Sequence, residues 1–158
     1  MSVINKTVLE ANAIPNVAID FMNNTHVEEI ELVKKVGDVI AEYEQRETFT
    51  SEEIKVLNDL LHEWLHHTEE HFARENELMQ KISFPMYSVH LSEHERVLEN
   101  MIEVIQSWDR NFDINRLANF IFSAWPEWFN NHVNSMDMVT AQFAVMNGFD
   151  PHATVAVD

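Results

Sequence analysis

An all-α fold, an antiparallel four-helix bundle with an N-terminal arm, is what the sequence predicts. Three observations carry that expectation. Among 158 residues glycine occurs twice (Gly37, Gly148) and proline four times. That is too few turn formers for an all-β sandwich or a glycine-fingerprint nucleotide fold. Apolar residues recur at alternating steps of three and four along four long segments, the period of an amphipathic helix. The breaks between these segments are short, as antiparallel neighbours require.

The elements follow in order. Residues 1–16 read as an arm closed by Pro15. The first helix is expected over about 19–43, with a buried stripe of His26, Ile30, Val33, Gly37 and Ile40. The second is expected over about 51–82, opened by a capping box of Thr50 and Glu53. Its stripe is Leu57, Leu61, Trp64, Thr68, His71, Glu75, Leu78 and Ile82. The third is expected over about 85–108, with Pro85 in its first turn. Tyr87, His90, His94, Val97, Met101, Val104 and Trp108 form its stripe. The fourth is expected over about 113–146, kinked or split at Pro126. Its stripe reads Ile121, Trp125, Trp128, His132, Met136, Val139 and Phe143, with Asp137 at the edge. No repeat or linker interrupts the pattern. The sequence thus predicts a single domain over 1–158, with an arm to about 16, a bundle over about 17–146 and a tail over about 147–158.

Composition excludes several classes of function. Ten Lys and Arg against 27 Asp and Glu leave a formal charge of −17. Nucleic acid and anionic membrane surfaces would repel such a chain. No apolar run is long enough to span a bilayer. The absence of cysteine removes disulfides, thiolate metal sites and a cysteine nucleophile, and fits a reducing, cytoplasmic setting.

The polar residues on the buried stripes carry the chemistry. His26, His71, His90, His94 and His132 fall on core positions, with Glu75 beside them and Asp137 at the edge. Burying five imidazoles and two carboxylates in one small core is costly unless something pairs them, and a metal uses these donors. His71 and Glu75, and His90 and His94, are i,i+4 pairs, about 40° apart on a helix face. His132 and Asp137 are five apart, about 140° on an ideal helix, which would point them to different ions. Seven donors are too many for one transition metal and suit two, bridged by carboxylates and a solvent oxygen. Iron, zinc and copper all accept imidazole; the mixed donor set leans to iron without excluding the others.

The stretch His71-Phe72-x-x-Glu75-x-x-x-Met79, then Phe84-Pro85, then His90-x-x-x-His94, resembles the signature of the hemerythrin family. Trp128, four residues before His132, and Asp137, five after it, resemble the family's closing motif, and His26 falls where its first-helix histidine lies. The resemblance covers roughly residues 17–145. It implies two iron ions in a bundle core. His26 and His71 would ligate one; His90, His94 and His132 would ligate the other. Glu75 and Asp137 would bridge them with an oxo or hydroxo group. O2 would bind reversibly at the iron with fewer protein ligands, for sensing, delivery or storage, and small anions such as azide would compete. The sequence departs from the family at Asn23-Asn24-Thr25 before His26. It departs again at Phe129, where a leucine commonly lines the pocket, and in having few aromatic residues after Asp137.

Other residues have plainer readings. His62, His66, His67 and His152 lie off the strict stripe and read as surface or flanking groups. Thr68 and Gly37 read as packing, the tryptophans as core with Trp128 nearest the site, and Met79 and Met101 as gap fillers. Two further functions remain open on the same bundle. One is a di-iron oxidase, peroxidase or nitric-oxide-handling enzyme; the other is a signalling module with a separate partner protein. Ferritin-like oxidases use more carboxylates, so five histidines favour holding O2 over catalysis.

Overall fold

The computed structural model describes residues 9–154. The outer parts of the expected arm and tail, 1–8 and 155–158, lie outside the described residues. A short 3-10 turn, Ala11–Ala13, leads to α1 (Asp20–Tyr43), α2 (Ser51–Lys81) and α3 (Tyr87–Asn111). A fourth rod, 114–146, is helical throughout but not uniformly α. Its α-helical stretches are α4 (Ile114–Asn119), α5 (Trp125–His132) and α6 (Met138–Met146). Wider π turns, Phe120–Ala124 and Val133–Asp137, join them. There is no strand among the described residues.

Short links turn each rod back on the one before it. α1 packs on α2, α2 on α3, α3 on α4, and α4 closes the ring against α1. One apolar cluster runs through all four, anchored by Trp64, Trp108 and Trp125. The expected stripes of α1 and α2 are buried as read, except Ile82, which is half-buried at the end of α2. Thr50 accepts from the Glu53 amide while the Glu53 carboxylate accepts from the Thr50 amide, so the capping box forms. Arg46 reaches Glu53 from the α1–α2 link and also pairs with Glu42. No helix among the described residues is long and apolar enough to cross a membrane.

Two expectations are corrected. Pro85 does not enter α3; it lies in the turn before Met86, after Ser83 has taken a left-handed φ of 53°. That turn consumes the residues the sequence assigned to the helix start. In the fourth rod, Met136 is half-buried and Val139 exposed, whereas Asp137, Thr140 and Ala144 are buried. The π turns explain the shift. Each closes i→i+5, Trp125 N–H on Phe120 O and Met138 N–H on Val133 O, so each adds a residue and advances the inward face by one. The first ends just before Pro126, which has no N–H to give. The split expected at Pro126 thus takes the form of a π turn ending just before it, and the rod stays helical past the proline.

The capping box gives a direct check on the α2 entry. Thr50→Ala removes the acceptor for the Glu53 amide and should cost about 1 kcal/mol of stability in denaturant unfolding, with an unchanged m-value.

Candidate metal centre

Every rod contributes to one buried polar cluster. α1 supplies His26; α2 supplies His71 and Glu75; α3 supplies His90 and His94; the fourth rod supplies His132 and Asp137. All seven are buried, each at most 2% exposed. The structure therefore brings together every residue the sequence singled out.

Their donor atoms form two overlapping groups. His26, His71, Glu75 and Asp137 make one; Glu75, His90, His94, His132 and Asp137 make the other. Each carboxylate divides its oxygens between them. Glu75 Oε2 lies 2.9 Å from His71 Nε2 and 3.5 Å from His26 Nε2, while Oε1 lies 3.2 Å from His94 Nε2. Asp137 Oδ2 lies 3.0 Å from His26 Nε2, while Oδ1 lies 3.2 Å from His90 Nε2 and 3.1 Å from His132 Nε2.

The second π turn makes the last contact possible. On an ideal helix His132 and Asp137 diverge; the i→i+5 turn over Val133–Asp137 sets both on one face. The expectation that the two cannot meet one ion side by side, drawn for an ideal helix, is corrected accordingly, while the reach of Asp137 to a second group is as expected. Asp137 serves both groups, one oxygen to each.

The donor set fits metal ions. Two donors held about 2.1 Å from one ion at right angles sit about 3.0 Å apart, which is the spacing seen here. His90 Nε2 and His132 Nε2 approach to 3.1 Å, a spacing that an imidazole hydrogen bond or two ligands of one ion would both give. Both Asp137 oxygens, Glu75 Oε1, His94 Nε2 and His26 Nε2 are buried with no aligned hydrogen bond, although all lie close to other donors. Such orphaned atoms require a partner at their common focus.

Charge supports the same reading. Burial pushes the His94 imidazole down to about 4, against a partial offset from Glu75. Burial also opposes a charged His71, but the Glu75 charge and hydrogen bonds to Glu29 and Glu75 raise it to about 10. Burial and mutual repulsion work against ionised Glu75, yet the surrounding imidazoles hold it well below the usual carboxylate range. Asp137 is held low in the same way, chiefly by His132 against its burial. The centre thus keeps two anionic carboxylates in the dry core and gathers positive charge around them.

The outer nitrogens orient the rings. His71 Nδ1 lies 3.1 Å from Glu29, His90 Nδ1 2.9 Å from Thr140 and His94 Nδ1 2.8 Å from Asn76. His132 Nδ1 faces Glu93 at 3.7 Å, which also accepts from Trp128 Nε1. Partners on Nδ1 turn Nε2 toward the centre, where a bound ion would displace any proton it carries. Phe72 stacks on His94 and Trp128 stacks on His132. Phe129 meets His26 and His71 edge-on, at 5.5 and 6.5 Å. Beside His26, whose Nδ1 has no hydrogen-bond partner, a cavity of about 20 Å³ lies under Ile14, Pro15 and Asn16. It has room for about one water. Asn23 holds that segment of the arm, accepting from Val17 N–H and donating to Val17 O.

Four of these residues escaped the sequence reading. Glu29 is the most consequential: it is fully buried, three residues after His26, and its position on the inward face was the available signal. Thr140 and Asn76 lie beside stripe residues, and Glu93 directly precedes His94. Thr68, read as packing, places its hydroxyl oxygen 3.0 Å from Glu29 and 2.9 Å from Trp64 O, with one proton to share between them. His62 and His66 are exposed, while His67 is half-buried against Glu28 and Glu29.

Comparison with known proteins agrees with the geometry. Residues 17–144 match the sequence model of the hemerythrin HHE cation binding domain. The chain is similar to a bacteriohemerythrin of Aquifex aeolicus, 27% identical over 135 residues, spanning 85% of this chain and 96% of that one. A bacteriohemerythrin of Ralstonia nicotianae is 34% identical over 91 residues, spanning 57% of this chain and 64% of that one. No solved structure gives a significant match.

Two outcomes check the centre. Chelation should lower the melting temperature, because ion binding to the native state adds to its stability, and returning metal should restore it. Glu75→Ala should lose all bound metal, since it removes a donor from both groups, whereas His62→Ala should keep it; metal analysis of the two purified variants decides.

Proposed function

The chain belongs to the hemerythrin family, and from that premise we propose that its core holds two irons and binds O2 reversibly. The observation that carries the reading is the division of Glu75 and Asp137, each offering one oxygen to the His26–His71 side and one to the His90–His94–His132 side. Two carboxylates arranged in this way suit bridging, and bridging would call for two ions. In our reading His26 and His71 are the protein ligands of one iron, and His90, His94 and His132 those of the other. The iron pair, when bound, would supply the electrons that hold O2, and small anions would compete for the same position.

The side chains of this protein set the conditions. The side with two histidines has fewer protein donors, so that side keeps room for a small ligand. Phe129 covers it. The ring is buried, stacks on Trp125 at 4.7 Å and faces both histidines edge-on. A phenyl group offers no proton and no hydrogen bond, so it keeps water and anions from the ligand position. Pro15 and Asn16 close the approach past His26 from the arm side. Imidazoles outnumber carboxylates five to two among the seven donors, a balance suited to holding O2 without committing to bond cleavage. These features favour a binding protein over an oxidase or peroxidase, with delivery, storage or sensing as its use.

The deciding experiment is the visible spectrum of the iron-loaded protein, first reduced without oxygen and then exposed to air. A charge-transfer band that appears with air and vanishes under vacuum is the expected result. Irreversible bleaching or steady turnover would instead indicate an enzyme. Phe129→Ala should speed both azide binding and spontaneous loss of that band in stopped-flow measurements. It should also cost about 3–5 kcal/mol of stability, which an unfolding curve in parallel will read.

A further inference from the structure

The outer partners of the imidazoles are not alike. On the His90–His94–His132 side, two rings meet neutral groups, the Thr140 hydroxyl and the Asn76 amide oxygen. The third faces Glu93 at a long 3.7 Å, a residue that is a quarter exposed and already accepts from Trp128. On the His26–His71 side, His71 meets a carboxylate at 3.1 Å, Glu29, whose side chain is 1% exposed. Thr68 Oγ1 lies 3.0 Å from both Glu29 oxygens and fixes the group in place. His67 Nδ1 adds a second nitrogen at 3.5 Å.

We propose that Glu29 is a positioning residue that makes the two metal positions electrostatically unequal. Resting on the two-iron reading, it adds a third buried negative charge on the side with fewer protein ligands. By accepting from His71 Nδ1 it fixes the tautomer with Nε2 bare and makes that nitrogen a stronger donor. A negative charge held in a medium of low dielectric stabilises the more highly charged ion beside it. The His26–His71 position is therefore where oxidation is favoured, which is also the side that Phe129 covers. Thr140 and Asn76 orient their rings equally well but add no charge, so the bias comes from Glu29 alone among the close partners.

The test compares iron-loaded wild type with Glu29→Gln and Thr140→Val, each with its iron counted, by spectroelectrochemical titration. Glu29→Gln keeps the shape and an acceptor and removes only the charge. It should retain two irons and take up its first electron at least tenfold more favourably, an upward shift of about 59 mV. Thr140→Val should shift the midpoint much less. An unchanged midpoint in two-iron Glu29→Gln, or an equal shift in Thr140→Val, would overturn the proposal. Wild type holding fewer than two irons would overturn the two-iron reading itself and this inference with it. If Glu29→Gln does not hold iron, the zinc-loaded wild type decides by nuclear magnetic resonance of the imidazole N–H groups. The proposal requires a proton on His71 Nδ1, further downfield than those of His90 and His94. A His71 without that proton contradicts it.

Discussion

Two carboxylates buried among five imidazoles are the constraint on which the rest of this molecule depends. Glu75 and Asp137 lie at the centre of the bundle, out of reach of water, with a histidine from every rod turned toward them. An anionic pair in that place needs positive charge close by, which the surrounding imidazoles supply and a bound cation would add to. The ring partners, the aromatic contacts and the π turns all hold this cluster together. Iron is the cation the family membership supplies.

The fourth rod shows how the backbone yields to that geometry. A regular α-helix could bury His132 or Asp137 at the focus, but not both. The π turn over Val133–Asp137 places both there, at the cost of a less regular hydrogen-bond ladder. The earlier π turn over Phe120–Ala124 prepares the rod for Pro126 and sets Trp125 and Phe129 on the inward face. Trp125 then carries Phe129 flat against it, and Phe129 meets the two histidines. Phe129 and Asp137 thus both owe their inward places to departures from the α ladder.

Much of this was legible in the sequence, for physical reasons that can be named. His71 with Glu75, and His90 with His94, stand four apart on long uninterrupted helices, where periodicity alone fixes the face. His26 and the stripe of α1 follow the same rule. Periodicity failed beyond His132, because a π turn leaves no mark in an apolar pattern until the register has moved; Val139 was expected inside and is exposed. Pro85 misled in a similar way, since a proline can open a helix or close the turn before it. Glu29 was missed because an acidic residue among other acidic residues on α1 reads as solvated surface. Only its spacing of three from His26 set it apart from Glu28 and Glu31.

The central claim is that two metal ions sit between the two histidine groups, joined by Glu75 and Asp137. Anomalous diffraction at the iron absorption edge, from crystals of protein purified with iron, tests it most directly. The account predicts two separate peaks in each chain, one against His26 and His71, the other against His90, His94 and His132, with both carboxylates touching both peaks. A single peak, or a peak that either carboxylate does not reach, would contradict it.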